Sequence, residues 1–125
     1  MTRVLLFIDD DIDVRDAFGD LLEYSGWTVV HAADGLAALE WLAKNEPPAA
    51  ILLDLKMPRC DGYEFRARQL ADPRWRDVPT VVFTADANAD GSEPPILSGA
   101  PLLRKSAPFA ELRALLEHVV TAVQR

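Results

Sequence analysis

The stretch Ala49-Ala50-Ile51-Leu52-Leu53-Asp54-Leu55-Lys56-Met57-Pro58 constrains this chain more than any other. Five apolar residues run without a break into an acid, and Pro58 follows shortly after. A strand with one wet face alternates apolar and polar residues. An unbroken apolar run fits a strand covered on both faces, as in a parallel sheet flanked by helices. In open sheets of that kind, ligands bind outside the carboxyl ends of the strands. Asp54 stands at that place. An acid after a strand most often only caps a turn, so its meaning depends on what else reaches the same edge.

The rest of the chain repeats the pattern. Val4-Leu5-Leu6-Phe7-Ile8 is a second uninterrupted apolar run, ending in Asp9-Asp10-Asp11. Val14, Phe18, Leu21 and Leu22 then recur at helical spacing, and Ser25-Gly26 closes that helix. Trp27-Thr28-Val29-Val30-His31 predicts a short strand. Asp34 is a good N-cap for a helix with Leu36, Leu39 and Ala43 on its apolar side, stopped by Pro47-Pro48. Asp61 caps a third helix running through Phe65 to Leu70, which ends at Asp72-Pro73. Thr80-Val81-Val82-Phe83 predicts the fourth strand, finishing at Thr84. Residues 85–100 are the least regular, with Gly91, Pro94, Pro95 and Gly99; a helix there is short or broken. Leu102-Leu103 predicts a fifth strand ending at Lys105. The last helix carries Leu112, Leu115, Leu116, Val119 and Val123 at helical spacing. Strands alternating with helices, joined by right-handed crossovers, give a doubly wound α/β domain with a five-stranded parallel sheet.

Composition narrows the function. The 125 residues, half of them hydrophobic and 26% charged, suit one globular domain spanning 1–125. Acids outnumber bases 20 to 13, for a formal charge of -7. That excess argues against general attraction to nucleic acid or an anionic membrane. Cys60 stands alone, so there is no internal disulfide and no cysteine metal cluster. No apolar stretch approaches a membrane span, and Met1-Thr2-Arg3 leads straight into a strand rather than a signal peptide. A cytoplasmic location is expected.

Four strand ends carry functional groups: Asp9 and Asp10 on the first, Asp54 on the third, Thr84 on the fourth and Lys105 on the fifth. A parallel sheet brings all of them to one edge. Crowded carboxylates resist ionising unless a cation joins them. A hard divalent ion such as Mg²⁺ suits them, taking oxygen from one or two carboxylates and keeping waters. Thr84 and Lys105 add an anion-facing side. Metal, carboxylate, ammonium and hydroxyl together suit a phosphoryl group, with the carboxylate as nucleophile and the cations neutralising the transferring oxygens.

At this point the chain resembles the receiver domains of two-component response regulators, over essentially its whole length. Leu6-Phe7-Ile8-Asp9-Asp10 with Arg15 is similar to the family's first signature. Asp54-Leu55-Lys56-Met57-Pro58 followed by Asp61-Gly62 is similar to its phosphoacceptor region, and Phe83-Thr84-Ala85 and Lys105 to its switch hydroxyl and lysine. The resemblance implies strand order 2-1-3-4-5. It implies that Asp54 accepts a phosphoryl group from a histidine kinase or phosphotransfer protein. It also implies that Asp10, Asp54 and the backbone carbonyl of Lys56 hold Mg²⁺ directly, with Asp9 acting mainly through water. Thr84 and Lys105 would each engage a phosphoryl oxygen.

Three departures fall on the surface most receivers use for output. Ser106 replaces the proline that usually follows the lysine, often through a cis bond. A non-proline cis bond costs about 2.5–4 kcal/mol, so the bond is trans or held under strain. Leu102 stands where the family places an aromatic switch residue. The fourth helix is weak or disordered, and residues 85–100 are expected to form a mobile loop that orders on phosphorylation or partner binding. The chemistry is thus expected to be conventional and the output, by partner docking, unconventional. Lys56 and Asp86 would flank the phosphoryl group and tune its lifetime, unless they are plain solvated charges. Ala85 leaves the pocket open.

A pseudo-receiver that keeps the fold without phosphorylation is the alternative; the irregular switch surface favours it and the complete set of site residues opposes it. A Mg²⁺-dependent aspartyl phosphatase would place an acid two residues after the nucleophile, where Lys56 stands. No output domain follows the last helix, which suggests a single-domain regulator, a relay intermediate or part of a larger protein. His31 and His118 are read as structural or solvated, Trp27, Trp41 and Trp75 as packing, and Cys60 as an ordinary loop residue.

Overall fold

Each expected strand segment becomes a strand, and α-helices follow the first, second, third and fifth of them. The computed structural model describes residues 3–85 and 94–123. In order along the chain are β1 (Arg3–Ile8), α1 (Ile12–Tyr24), β2 (Trp27–Ala32), α2 (Gly35–Lys44), β3 (Ala50–Leu53), α3 (Gly62–Ala71), β4 (Thr80–Thr84), a 3₁₀ turn (Pro95–Leu97), β5 (Leu102–Arg104) and α4 (Phe109–Val123). All pairings are parallel, in the order β2-β1-β3-β4-β5. The doubly wound α/β fold is as expected.

Alternation along the strands divides the core in two. Leu5 and Phe7 of β1, Leu52 of β3 and Phe83 of β4 pack under α1 and α4 against Leu22, Leu112 and Leu116. Leu6 and Ile8 of β1 with Ile51 and Leu53 of β3 pack on the other face against Ala38 and Leu42 of α2 and Phe65 of α3. These strand residues are at most 1% exposed, so the unbroken runs are explained by two covered faces. Each fully buried Leu, Ile or Phe contributes roughly 1.5–3 kcal/mol relative to exposure.

Acids set the helix starts. Asp11 caps α1, accepting from the Asp13 and Val14 amides, Asp34 caps α2 through Ala37, and Asp61 caps α3 through Glu64. Two helical faces differ from expectation. Leu21 is 45% exposed while Leu22 is fully buried, and Ala43 is exposed while Ala38 and Leu42 face the sheet. Both helices carry apolar residues around much of their circumference, so tertiary contact rather than periodicity selects the buried side.

The irregular segment is helical only as the turn Pro95–Leu97. Leu97 and Ala100 are buried against Leu55 and Val82, with Ile96 and Leu102 alongside, so this end of the segment is anchored. Residues 86–93, including Asp86, lie outside the described residues, as does the side chain of Val123. The Lys105–Ser106 bond is trans, so of the two outcomes allowed for serine at that position the unstrained one holds.

Candidate functional site

Parallel pairing builds the site. Ile8 of β1 stands opposite Leu53 of β3, so the next residue of each strand, Asp9 and Asp54, emerges side by side. Both continue the ladder by their amides, Asp9 to the Ala32 carbonyl at 3.0 Å and Asp54 to the Ile8 carbonyl at 2.9 Å. At the far side Thr84 of β4 pairs with Arg104 of β5, and the Lys105 amide donates to the Thr84 carbonyl at 3.0 Å.

The side chains converge. Asp9, Asp10 and Asp54 each offer a carboxylate oxygen, all within 4.8 Å of one another. Lys105 Nζ lies 2.7 Å from Asp9 Oδ2 and 3.4 Å from Asp54 Oδ2. Asp9 is fully buried, Asp54 nearly so, and Asp10 is exposed, giving the cluster one side open to solvent. Asp9 Oδ1 accepts from the Asp11 amide and Asp54 Oδ1 from the Leu55 amide, each at 2.9 Å. One oxygen of each carboxylate is thereby fixed by backbone while the other faces Lys105.

Electrostatics follow from this crowding. Burial and the neighbouring charge of Asp9 push the Asp54 carboxyl up to about 6, against an opposing pull from Lys105. Burial disfavours the Lys105 ammonium, but its hydrogen bond to Asp9 and the charges of Asp54 and Asp9 outweigh that and raise its pKa. Among the described residues, three acids converge where Lys105 pairs with two of them, Asp9 and Asp54. A hard divalent ion matches this donor set, because the ligands are all oxygen and the charge is in excess.

The other expected site residues sort as follows. Thr84 is buried at the end of β4, and Lys56 is exposed two residues after Asp54. His31 packs its ring against Phe7, 5.9 Å between centroids, and His118 is exposed on α4. Trp27 and Trp75 are buried, each beneath an arginine, Arg3 and Arg74. Cys60 is buried and its thiol is pushed up to about 11 by burial and by Glu64, so it is no reactive nucleophile.

Two arginines escaped the sequence reading. Arg59 has a positive φ of 65° and pairs with Asp34, and Arg66 is buried in α3, bonded to Gln69. Nothing in an isolated arginine signals either; the Met57-Pro58 pair ahead of Arg59 marks a turn without specifying its hand.

A five-stranded sheet of this order with an acidic, lysine-bearing edge is the architecture of signal-receiving domains, and the comparisons agree. A family-wide sequence description of the response regulator receiver domain matches residues 5–117. The response regulator MprA of Mycobacterium ulcerans (strain Agy99) is 38% identical over 93% of this chain and 51% of its own length. The receiver domain of the sensor histidine kinase PA1611 of Pseudomonas aeruginosa PAO1, solved with a magnesium ion coordinated in the active site cleft, superposes with a TM-score of 0.86. It is 26% identical, covering 97% of this chain and 99% of that one. The chemotaxis protein CheY4 of Vibrio cholerae superposes at 0.84 with 26% identity, covering 95% and 99%. This chain belongs to the response regulator receiver domain family of two-component systems. It spans about half the length of the curated relatives it matches.

Proposed function

We propose that the chain is a receiver domain in which Asp54 accepts a phosphoryl group from a histidine kinase or histidine phosphotransfer protein. The observation that carries this is the convergence of Asp9, Asp10 and Asp54 within 4.8 Å, with Lys105 Nζ 3.4 Å from Asp54. A carboxylate oxygen of Asp54 forms the new O–P bond as the donor's N–P bond breaks, leaving an acyl phosphate and a neutral imidazole. Asp54 must be ionised to attack. With its carboxyl near 6, most of it is ionised at neutral pH.

Lys105 stands where a phosphoryl oxygen on Asp54 would develop charge, and the Thr84 hydroxyl would bond another. Asp9, Asp10 and Asp54, with the carbonyl of Lys56, would hold Mg²⁺, Asp9 through water. When bound, Mg²⁺ supplies charge neutralisation on the transferring oxygens. The domain, taken as 1–125, acts as a signalling element that catalyses only its own phosphorylation and dephosphorylation. Lys56 and Asp86 are assigned to tuning the phosphoryl lifetime. Output is by docking a partner protein rather than by contact with nucleic acid or membrane, in keeping with the net charge of -7. Among the described residues no helix is long and apolar enough to cross a membrane. A cytoplasmic setting, where a kinase can reach Asp54, completes the reading.

The test pairs binding with chemistry. Titration calorimetry should show one Mg²⁺ per chain, lost in Asp10→Asn. Incubation with acetyl phosphate should add a single phosphoryl mass only when Mg²⁺ is present. Mg²⁺ binding absent from the wild type, together with no adduct, would establish the pseudo-receiver alternative.

A further inference from the structure

The loop that follows Asp54 contains a backbone conformation its sequence does not favour. Arg59 adopts φ 65°, and the Cys60 amide donates across it to the Pro58 carbonyl at 2.7 Å. An i to i+2 bond around a residue with positive φ is the rarer, strained form of the γ-turn. Among the described residues Arg59 is the one non-glycine with positive φ. Such a conformation persists only where its surroundings over-determine it, and it clusters at functional loops.

The surroundings are specific. Arg59 Nε donates to Asp34 Oδ2 at 2.8 Å, and a terminal guanidinium nitrogen reaches the same oxygen at 2.6 Å. Asp34 is 5% exposed, and its other oxygen is committed to the Ala37 amide as the cap of α2. The anchor therefore cannot follow a moving loop. The neighbouring Gly35 amide donates to the Cys60 carbonyl at 3.0 Å, and a Cβ on Gly35 would stand 2.5 Å from the Cys60 sulfur. At the other end of the loop the Gly62 amide closes onto the Leu55 carbonyl at 2.9 Å.

From this juxtaposition we infer that the Arg59–Asp34 ion pair is a brace: it ties the loop after Asp54 to the N-terminus of α2 and so positions that loop, including Lys56, against the cation site. Arg59 is a positioning residue and touches neither metal nor phosphoryl group. The inference rests on the reading of Asp54 and Mg²⁺ given above. It makes the start of α2 part of the support of the site, because movement of Asp34 is passed to residues 56–60 through the Arg59 side chain, beside the backbone bond from Gly35 to Cys60.

Two variants separate the brace from general stability. Asp34→Asn retains a capping oxygen for Ala37 and changes no residue of the loop, but presents no charge to Arg59. Arg59→Gly keeps positive φ accessible while removing the guanidinium with the rest of the side chain. Each variant, and the double variant, would be followed by amide exchange without metal and by Mg²⁺ titration. The Cys60, Gly62 and Gly35 amides should exchange on the order of tenfold faster in both variants, with Leu52 and Leu53 of β3 unchanged. Mg²⁺ affinity should fall on the order of tenfold in each, as for other outer supports of metal ligands, with little further loss in the double variant. Unchanged exchange in Asp34→Asn, or full Mg²⁺ affinity despite freed amides, overturns the brace. A wild type that takes up no Mg²⁺ overturns the earlier reading instead, and the exchange of Cys60 and Gly62 then decides the brace alone.

Discussion

Asp54 holds its proton to about pH 6 because burial strips water from the carboxyl and Asp9 sets a second negative charge beside it, which Lys105 only partly offsets. The ordinary value is 3.8, so the folded protein binds this proton more tightly than the unfolded chain does. The associated stability is fully present below about pH 4 and is lost as pH rises through about 6. Its size is on the order of 3 kcal/mol, from a shift of about two pKa units. Urea unfolding in EDTA should therefore show wild type losing stability relative to Asp54→Asn between about pH 4 and 7. Saturating Mg²⁺, on the proposed function a ligand of the ionised form, should flatten that dependence. A difference between the two proteins that does not change with pH would mean the carboxylates do not crowd one another.

Glycine at position 62 ties the start of α3 to the site. Its amide bonds the Leu55 carbonyl at 2.9 Å, and a Cβ there would run into the Asp54 carbonyl. Neither backbone can retreat without moving Asp54. Gly62→Ala should thus cost at least the roughly 1–3 kcal/mol typical of overpacking, more than the ~1 kcal/mol expected for removing the helix cap in Asp61→Ala. Equilibrium unfolding of the two variants measures the order, and an equal or smaller loss in Gly62→Ala contradicts the close approach. At this scale much was legible from sequence. Two uninterrupted apolar runs and three shorter β-favouring stretches marked the strands, and Asp34 and Asp61 marked helix starts, because short-range chemistry decides both. The buried sides of α1 and α2 were not legible, since Leu21 and Leu22, or Ala38 and Ala43, differ only in what they meet in the folded chain. Nor was the turn at Arg59, which depends on an ion pair to a residue 25 positions away.

For the whole molecule, topology does the assembling. Parallel order β2-β1-β3-β4-β5 carries Asp9, Asp54, Thr84 and Lys105 to one edge from distant parts of the chain. Those residues could be picked out beforehand because Asp9, Asp54 and Thr84 directly follow or end an apolar run and Lys105 lies one residue past Leu102-Leu103-Arg104, and the sheet's direction places them together. What the sheet does not dictate is the surface expected to serve output. There Leu102 packs with Leu97 and Ala100 in place of an aromatic ring, and the Lys105–Ser106 bond is trans. The site and this surface share β4 and β5, so on the proposed function a phosphoryl group engaging Thr84 and Lys105 would act on the anchored turn Pro95–Leu97 through the packed side chains of Val82, Leu97 and Leu102. All of this depends on the phosphoryl group arriving at Asp54. An acyl phosphate on aspartate is reduced by borohydride to homoserine, which marks the modified position permanently. We would treat the protein with acetyl phosphate and Mg²⁺, reduce it, and locate homoserine by peptide mass mapping. Homoserine at position 54 alone, absent without Mg²⁺, is the predicted result. Homoserine at Asp9 or Asp10, or none despite bound Mg²⁺ and a phosphoryl adduct on the intact protein, would contradict the account.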